Sequence, residues 1–378
     1  MSRKVRLAHP EIPEGALALV AQALRSGHLT SGEYVARLEE RLSARLGGRH
    51  VILVSSGTTA ALVAFHLLSD RGIERVLMPD FLFPSMASAA RRVGLDVLLA
   101  DIEPRLLSLP PDAIDRIPAG GRTAVLSVDQ FGIPGHNPEL ERRTASIGLP
   151  WFEDAACALG SRDDAGSACA TRSTVAILSF HPRKTLTTAE GGAVVTSDPD
   201  LAARARMLRN LGVAGQGTDR RFEMAGYNAR MSELHAAVGL AQEAVLDELL
   251  ERRRRIGRLY LERLDHLATH PDLPPGLSVP AGFRHPGSNF QSLVILLPAS
   301  VSRHDVVARL AEDGVESTLP GFSIHAQPVF ADLPCIGPVE HSPRLQESGL
   351  ALPLHERMEP QDVEHVVEAL QRALAPGK

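Results

Sequence analysis

Leu178-Ser179-Phe180-His181-Pro182-Arg183-Lys184-Thr185-Leu186-Thr187-Thr188 carries an apolar run into a polar loop, with Lys184 five residues beyond Ser179. The chain has 378 residues and 40 lysines and arginines, yet only Lys4, Lys184 and Lys378 are lysines. Two of those three stand at the chain ends. Arginine keeps its proton in a protein, whereas lysine can lose one and become a nucleophilic amine. A chain that builds its positive charge from arginine and keeps one lysine inside either does so by compositional chance or uses that amine. The surroundings of Lys184 decide.

On both sides of that loop, short apolar runs alternate with helical patterns. Val51–Val54, Val76–Met78, Val97–Ala100, Ala124–Val128, Pro150–Glu153, Thr174–Phe180 and Ala193–Thr196 read as strands. Several are continuously apolar, as strands covered on both faces are. The alternation predicts an α/β domain on a mainly parallel sheet. Ahead of it, Pro13–Arg25 and Glu33–Leu46 read as helices stopped by Gly27 and Gly47-Gly48.

Past residue 232 the texture changes. Ser232–Leu267 reads as one long helix, with the Glu251–Arg255 run (ERRRR) as a solvated face. Pro271–Gly287 reads as a loop, Asn289–Leu297 as a strand and Ser302–Asp313 as a helix stopped by Gly314. A last helix covers Pro360–Leu374. This predicts a large domain over residues 1–245, including the N-terminal helices, and a small α+β domain over 246–378.

Three further motifs join Lys184. Ser55-Ser56-Gly57-Thr58-Thr59-Ala60 links a strand to a helix start, where N–H groups and the helix dipole favour an anion; taken alone it reads first as an ordinary N-cap. Trp151-Phe152-Glu153-Asp154 places an acid at the carboxyl end of a strand, the edge where open α/β sheets bind ligands. Asp154 there is either a helix cap or a functional carboxylate. Glu190-Gly191-Gly192 permits a tight return into the next strand. An amine, a phosphate cradle and an acid for a ring nitrogen are together what pyridoxal 5′-phosphate requires. Phe83 is a candidate for stacking on its ring, or a core residue.

Ser-Gly-Thr-Thr-Ala at 56–60, Pro-x-x-x-Phe at 79–83, Glu-Asp-Ala-Ala at 153–156 and Ser-Phe-His-Pro-x-Lys at 179–184 resemble the DegT/DnrJ/EryC1/StrS aminotransferases. Glu-Gly-Gly at 190–192, Gly226–Leu234 and Leu352-Pro353-Leu354 extend the resemblance over nearly the whole chain. It implies the fold type I architecture of pyridoxal phosphate enzymes, a homodimer with shared active sites, and cofactor on Lys184. It implies Lys184 as Schiff-base lysine and proton shuttle, Asp154 as pyridine partner, and Gly57, Thr58, Thr59 and Ser179 around the phosphate. Phe83 would lie on the ring, and Asn228 would reach the neighbouring subunit's phosphate. Arg183, Arg230 and His325 are candidate substrate contacts; a surface ion pair for Arg230 and a structural role for His325 stay open. The usual work of the family is amination of nucleotide-linked keto-sugars, with glutamate or glutamine as donor. A cyclitol or other cyclic ketone as acceptor, or a non-catalytic cofactor-binding regulator, are the alternative expectations. Relatives that act as dehydratases carry histidine where this chain has Lys184, so lysine favours amination. Cys157 stands where the family commonly has glutamine or histidine bonding the cofactor's phenolic oxygen, and a thiol is a weaker donor. Ala189 replaces a usual glycine.

Composition excludes other classes. With 44% apolar and 22% charged residues the chain buries a core, and a net charge of −5 lacks the footprint of a nucleic-acid binder. No apolar run is long enough to span a membrane, and the first residues lack the apolar core of a secretory signal. Cys157, Cys169 and Cys335 are scattered outside metal-ligand spacings, so no metal is expected and a reducing cytoplasm is.

Overall fold

The computed structural model describes residues 3–215 and 217–375; Gln216 and Lys378 lie outside them. Strands β1 (His50–Val54), β2 (Arg75–Pro79), β3 (Phe81–Leu82), β4 (Asp96–Ala100), β5 (Thr123–Val128), β6 (Trp151–Asp154), β7 (Val175–Ser179) and β8 (Gly192–Thr196) follow one another in the first half. All but β3 form one seven-stranded sheet in the order β1-β8-β7-β6-β5-β2-β4. Every adjacent pair is parallel except the two that β8 makes.

Side chains alternate across this sheet, as a two-residue period demands. Ile52 and Val54 face the helices Gly57–Asp70, Ser85–Val93 and Pro199–Arg209. Val51 and Leu53 face Leu38 and Leu42 of the helix Glu33–Arg45, and Leu240 of Glu233–Ala244. Two covered faces explain why the strands show no polar alternation. The parallel strands end on one edge, which therefore carries Asp80, Asp129, Asp154 and Ser179 at or just past their last residues.

The second half corrects three expectations. Ser232–Leu267 is not one helix but two, Glu233–Ala244 and Leu246–Ala268, parted at Val245 (φ −116°, ψ 9°). Arg45 causes no sequence signal there, yet it bonds Glu243 twice, Nε to the carboxylate at 2.6 Å and Nη2 to the carbonyl at 3.2 Å. The Glu251–Arg255 run is not uniformly solvated. Arg253 shares the buried face of Leu249, Ile256 and Tyr260 at helical spacing, and its side chain pairs with Glu356 at 2.7 Å, both 3% exposed. Arg254 is half-buried and donates to the carbonyls of Gly160 and Ser288. Finally, the strand expected over Asn289–Leu297 shrinks to Leu293–Leu296, because Phe290 takes φ 51° and breaks the extended run.

That short strand pairs antiparallel with Gly349–Leu352. Around them, Tyr260, Leu264, Val306, Leu310, Val363, Val366 and Leu370 form a separate core. The start of the chain joins this core: Val5 bridges in parallel to Val315, with Val5 N donating to Gly314 O at 2.9 Å. Among the described residues no helix is long and apolar enough to cross a membrane.

Candidate active site

β8 draws the first two motifs together. Gly192 pairs with Val54 on one side and Ser179 on the other. A Cβ on Gly192 would lie 2.5 Å from Ser56 O, and one on Gly57 would lie 2.9 Å from Ser179 Cβ and Oγ. Only glycine permits this approach, so the turn after β1 and the end of β7 are pressed together. Ser56 is the N-cap of the helix Gly57–Asp70, its Oγ accepting from Thr59 N at 3.1 Å. Capping thus uses Ser56 and leaves the N–H groups of Gly57 and Thr58 without an intrahelical acceptor, with Gly57 beside the Ser179 hydroxyl. Ser55 N donates to Ala229 O at 2.9 Å, bringing the segment of Asn228 and Arg230 next to this turn.

Asp154 closes β6, buried at 7% exposure. Its carbonyl accepts from Asp129 N at 3.0 Å and its Oδ1 from Ala156 N at 3.0 Å. Burial pushes this carboxyl above its ordinary value, while the Ala156 N–H and the Lys184 charge pull it back. The acid therefore sits where an additional cation would be favoured. The turn that follows carries Cys157 toward Lys184, whose Nζ donates to Cys157 Sγ at 2.9 Å.

The Lys184 loop is clamped rather than loose. Lys184 N donates to His181 O at 2.8 Å, and Thr188 N and Thr187 Oγ1 donate to Phe180 O at 3.1 and 3.0 Å. Thr185 donates to Gln291 Oε1 from both N (2.9 Å) and Oγ1 (3.1 Å), and Gln291 Nε2 donates to Arg183 O. Asn289, two residues earlier, donates to Cys157 O at 2.9 Å and Leu159 O at 3.0 Å. One short segment before the strand Leu293–Leu296 thus holds both the cysteine turn and the lysine loop. Neither Gln291 nor Asn289 was flagged by the sequence, where they stand as isolated polar residues ahead of an apolar run.

Comparison with known proteins fits this geometry. Residues 10–371 match the model of the DegT/DnrJ/EryC1/StrS aminotransferase family. The chain belongs to that family. It is 30% identical over 337 residues, 87% of this chain and 84% of the relative, to the Bacillus subtilis protein EpsN, described as a putative pyridoxal phosphate-dependent aminotransferase. Its fold superposes on the aminotransferase TlmJ from Streptoalloteichus hindustanus with TM-score 0.88 and 29% identity, covering 98% and 99% of the two chains. DesI, solved in the presence of its TDP-sugar product, gives TM-score 0.87 and 29% identity over 98% and 93%. This aminotransferase is a pyridoxal 5′-phosphate enzyme with the expected α/β fold type I architecture.

The residues present fit that cofactor. Two glycines shape a cradle that a Cβ would fill, unused N–H groups line it, and a buried acid and a primary amine lie beyond it. Ala189 stands at φ 68°, a left-handed conformation that glycine adopts without strain, which gives the family's usual glycine a physical reason. Other expected residues lie further out. Phe83 is no core residue: it is 66% exposed, edge-on to Phe322 at 6.4 Å. Asn228 is exposed on this chain. Arg230 donates to Asn210 Oδ1 at 2.9 Å rather than forming a surface ion pair. Arg183 is exposed beside a small cavity of about 60 Å³ that also touches Gln291, Thr318 and Pro320. His325 Nδ1 lies 2.9 Å from Oδ2 of the fully buried Asp80, which also accepts from His325 N, so its outer nitrogen is turned away from that carboxylate.

Proposed function

We propose that this enzyme transfers an amino group from glutamate or glutamine to the keto group of a nucleotide-linked sugar. The observation that carries the reading is the Lys184 amine held in a fixed loop across from buried Asp154, the pair that amination needs. DesI, at 29% identity, was solved with a TDP-sugar, which supports the acceptor class. Bound pyridoxal phosphate would supply an electron sink for the substrate carbon. Gly57 N, Thr58 N, Thr59 and Ser179 Oγ would hold its phosphate, and Asp154 would keep a proton on its pyridine nitrogen. Lys184 Nζ would be its attachment point and the carrier of the migrating proton. Cys157 would sit beside the phenolic oxygen, and Phe83 against the ring. Arg183, Arg230 and His325 would meet the acceptor or the donor's carboxylate.

The same reading includes a cytoplasmic homodimer in which Asn228 completes the partner's phosphate site. Leu17, Leu24, Leu29, Leu211 and Phe222 support it, being apolar side chains exposed on the single chain around the N-terminal helices and the Asn228 side. The large domain of 1–245 and the small one of 246–378, whose core Val5 also joins, would close on the substrate from either side of Gln291.

The deciding experiment mixes the loaded enzyme with glutamate or glutamine and follows conversion of the cofactor to its amine form. Keto-acceptors are then supplied as a panel of nucleotide-linked sugars and free cyclic ketones. Conversion followed by turnover of a nucleotide-linked sugar is expected, from a species sedimenting at twice the chain mass. Absence of conversion would leave a binding protein, and turnover of cyclitols alone would replace the acceptor.

Gln291→Leu tests the clamp. The change frees Thr185 and Arg183 from their shared partner without removing a reacting group. Because an ångström of misplacement costs on the order of a hundredfold in rate, we expect kcat to fall by roughly 10- to 100-fold. Unchanged kcat would show that the loop holds its shape without Gln291.

A further inference from the structure

We propose that Cys157 and Lys184 form a reversible sulfur–nitrogen cross-link when the protein meets peroxide, a covalent modification that withdraws the internal amine from use. The inference rests on the reading of Lys184 as the amine that receives the cofactor. Its physical basis is a coincidence of scarce groups: the chain has three cysteines and a single lysine away from its ends. Lys184 Nζ lies 2.9 Å from Cys157 Sγ. The other two sulfurs face carboxylates instead, Cys169 beside Asp129 and Glu153, Cys335 beside Asp80 and His325. Burial pushes both of those thiols up, which keeps them protonated and unreactive.

Both partners are held in register. The Cys157 carbonyl is bonded by Asn289 Nδ2 and the Lys184 loop by Gln291, so the sulfur and nitrogen stay opposed without long side-chain searches. Cys157 and Lys184 are each half-buried, which leaves the sulfur open to a small oxidant.

The chemistry balances with hydrogen peroxide as oxidant. The Cys157 sulfur attacks one peroxide oxygen, the O–O bond breaks, and sulfur loses two electrons to become a sulfenic acid while the other oxygen departs as water. The Lys184 amine, once it has released its extra proton to solvent, attacks that sulfur. The S–N bond forms as the S–O bond breaks, and the hydroxyl leaves with an amine proton as a second water. The protein has lost two hydrogen atoms in all. A thiol reverses the link: it attacks Cys157 Sγ, the amine leaves with the thiol's proton, and a second thiol resolves the mixed disulfide. Since one nitrogen cannot hold both the sulfur and the cofactor, cross-link and cofactor exclude one another.

The test exposes the full chain, with and without added pyridoxal 5′-phosphate, to hydrogen peroxide and digests it without reductant for mass spectrometry. In the cofactor-free protein we expect the fragments containing positions 157 and 184 to be joined, lighter than their sum by two hydrogens, and to separate in dithiothreitol. The loaded protein and Cys157→Ser should give no joined fragment. Oxygen added to the Cys157 fragment with Lys184 unlinked overturns the proposal, as does a joined fragment that persists in Cys157→Ser. Borohydride reduction of the loaded protein reports cofactor attachment separately. Attachment at Lys184 without cross-linking defeats this inference alone, and cross-linking without attachment defeats the assignment of Lys184 alone.

Discussion

Lys184→Ala is expected to lower turnover by about a thousandfold or more while leaving the fold intact. The first half follows from the proposed roles: removing a positioned acid–base group costs on the order of 10²–10⁴ in rate, and on this proposal the same nitrogen would also anchor the cofactor. No neighbour can replace it. Lys4, the other lysine within the described residues, pairs with Glu316 at 3.4 Å, and arginine stays protonated and cannot serve as an amine nucleophile. The second half follows from the contacts. Beyond Cβ, the Lys184 side chain makes one hydrogen bond, to Cys157 Sγ, whereas the loop's shape rests on backbone bonds and on Thr185, Thr187 and Thr188. Removing an incompletely buried side chain of that kind changes stability by only about 0.5 kcal/mol. The measurements are thermal melting, turnover, and borohydride trapping of the cofactor. A folded variant that turns over at more than a tenth of the parent rate would remove Lys184 from the mechanism.

How far the sequence carries depends on whether the deciding contact is local. Strands β1, β2 and β4–β8 were legible because two covered faces force continuous apolar runs, and a helix end such as Gly27 at φ 70° because only a glycine sits there without cost. Gly57 and Gly192 were legible as tight turns, although that Gly57 makes room for Ser179 of β7 and Gly192 for the Ser56 carbonyl after β1 needed the sheet order. Gln291 was not. Its bond to Thr185 joins residues 106 positions apart, and no periodicity announces a contact of that span. Nor was the exposure of Phe83, since a residue past the two-residue strand β3 takes its surroundings from β3's pairing with Phe322-Ser323. The Glu251–Arg255 run misled for a different reason. Charge density suggested solvent, but the helical spacing of Leu249, Arg253, Ile256 and Tyr260 already placed the third of its five residues in the core.

Arg253→Met is the substitution expected to cost the most stability, about 3–5 kcal/mol. Both members of the Arg253–Glu356 pair are buried, so deleting the guanidinium takes the ion-pair partner from a buried carboxylate that keeps only the Glu11 N–H at 2.9 Å. His355 cannot take over, because burial pushes its imidazole down to about 4 and it is neutral near pH 7. Three carbonyls also lose a donor, those of Phe290, Gln291 and Leu354, which Arg253 reaches through Nε and Nη2. Replacing both partners, as in Arg253→Met with Glu356→Leu, removes the orphaned charge and should recover much of the loss, since apolar replacement of a buried pair is often near neutral. The comparison separates two roles. The Gln291 carbonyl is bonded by Arg253 while its side chain holds the Lys184 loop, so the double variant should regain stability yet keep a reduced kcat if this link positions the loop. Urea unfolding and turnover on the parent, the single and the double variant measure both. A single variant within 1 kcal/mol of the parent would mean that Glu356 finds water or a proton, and a double variant with full kcat would confine Arg253 to stability.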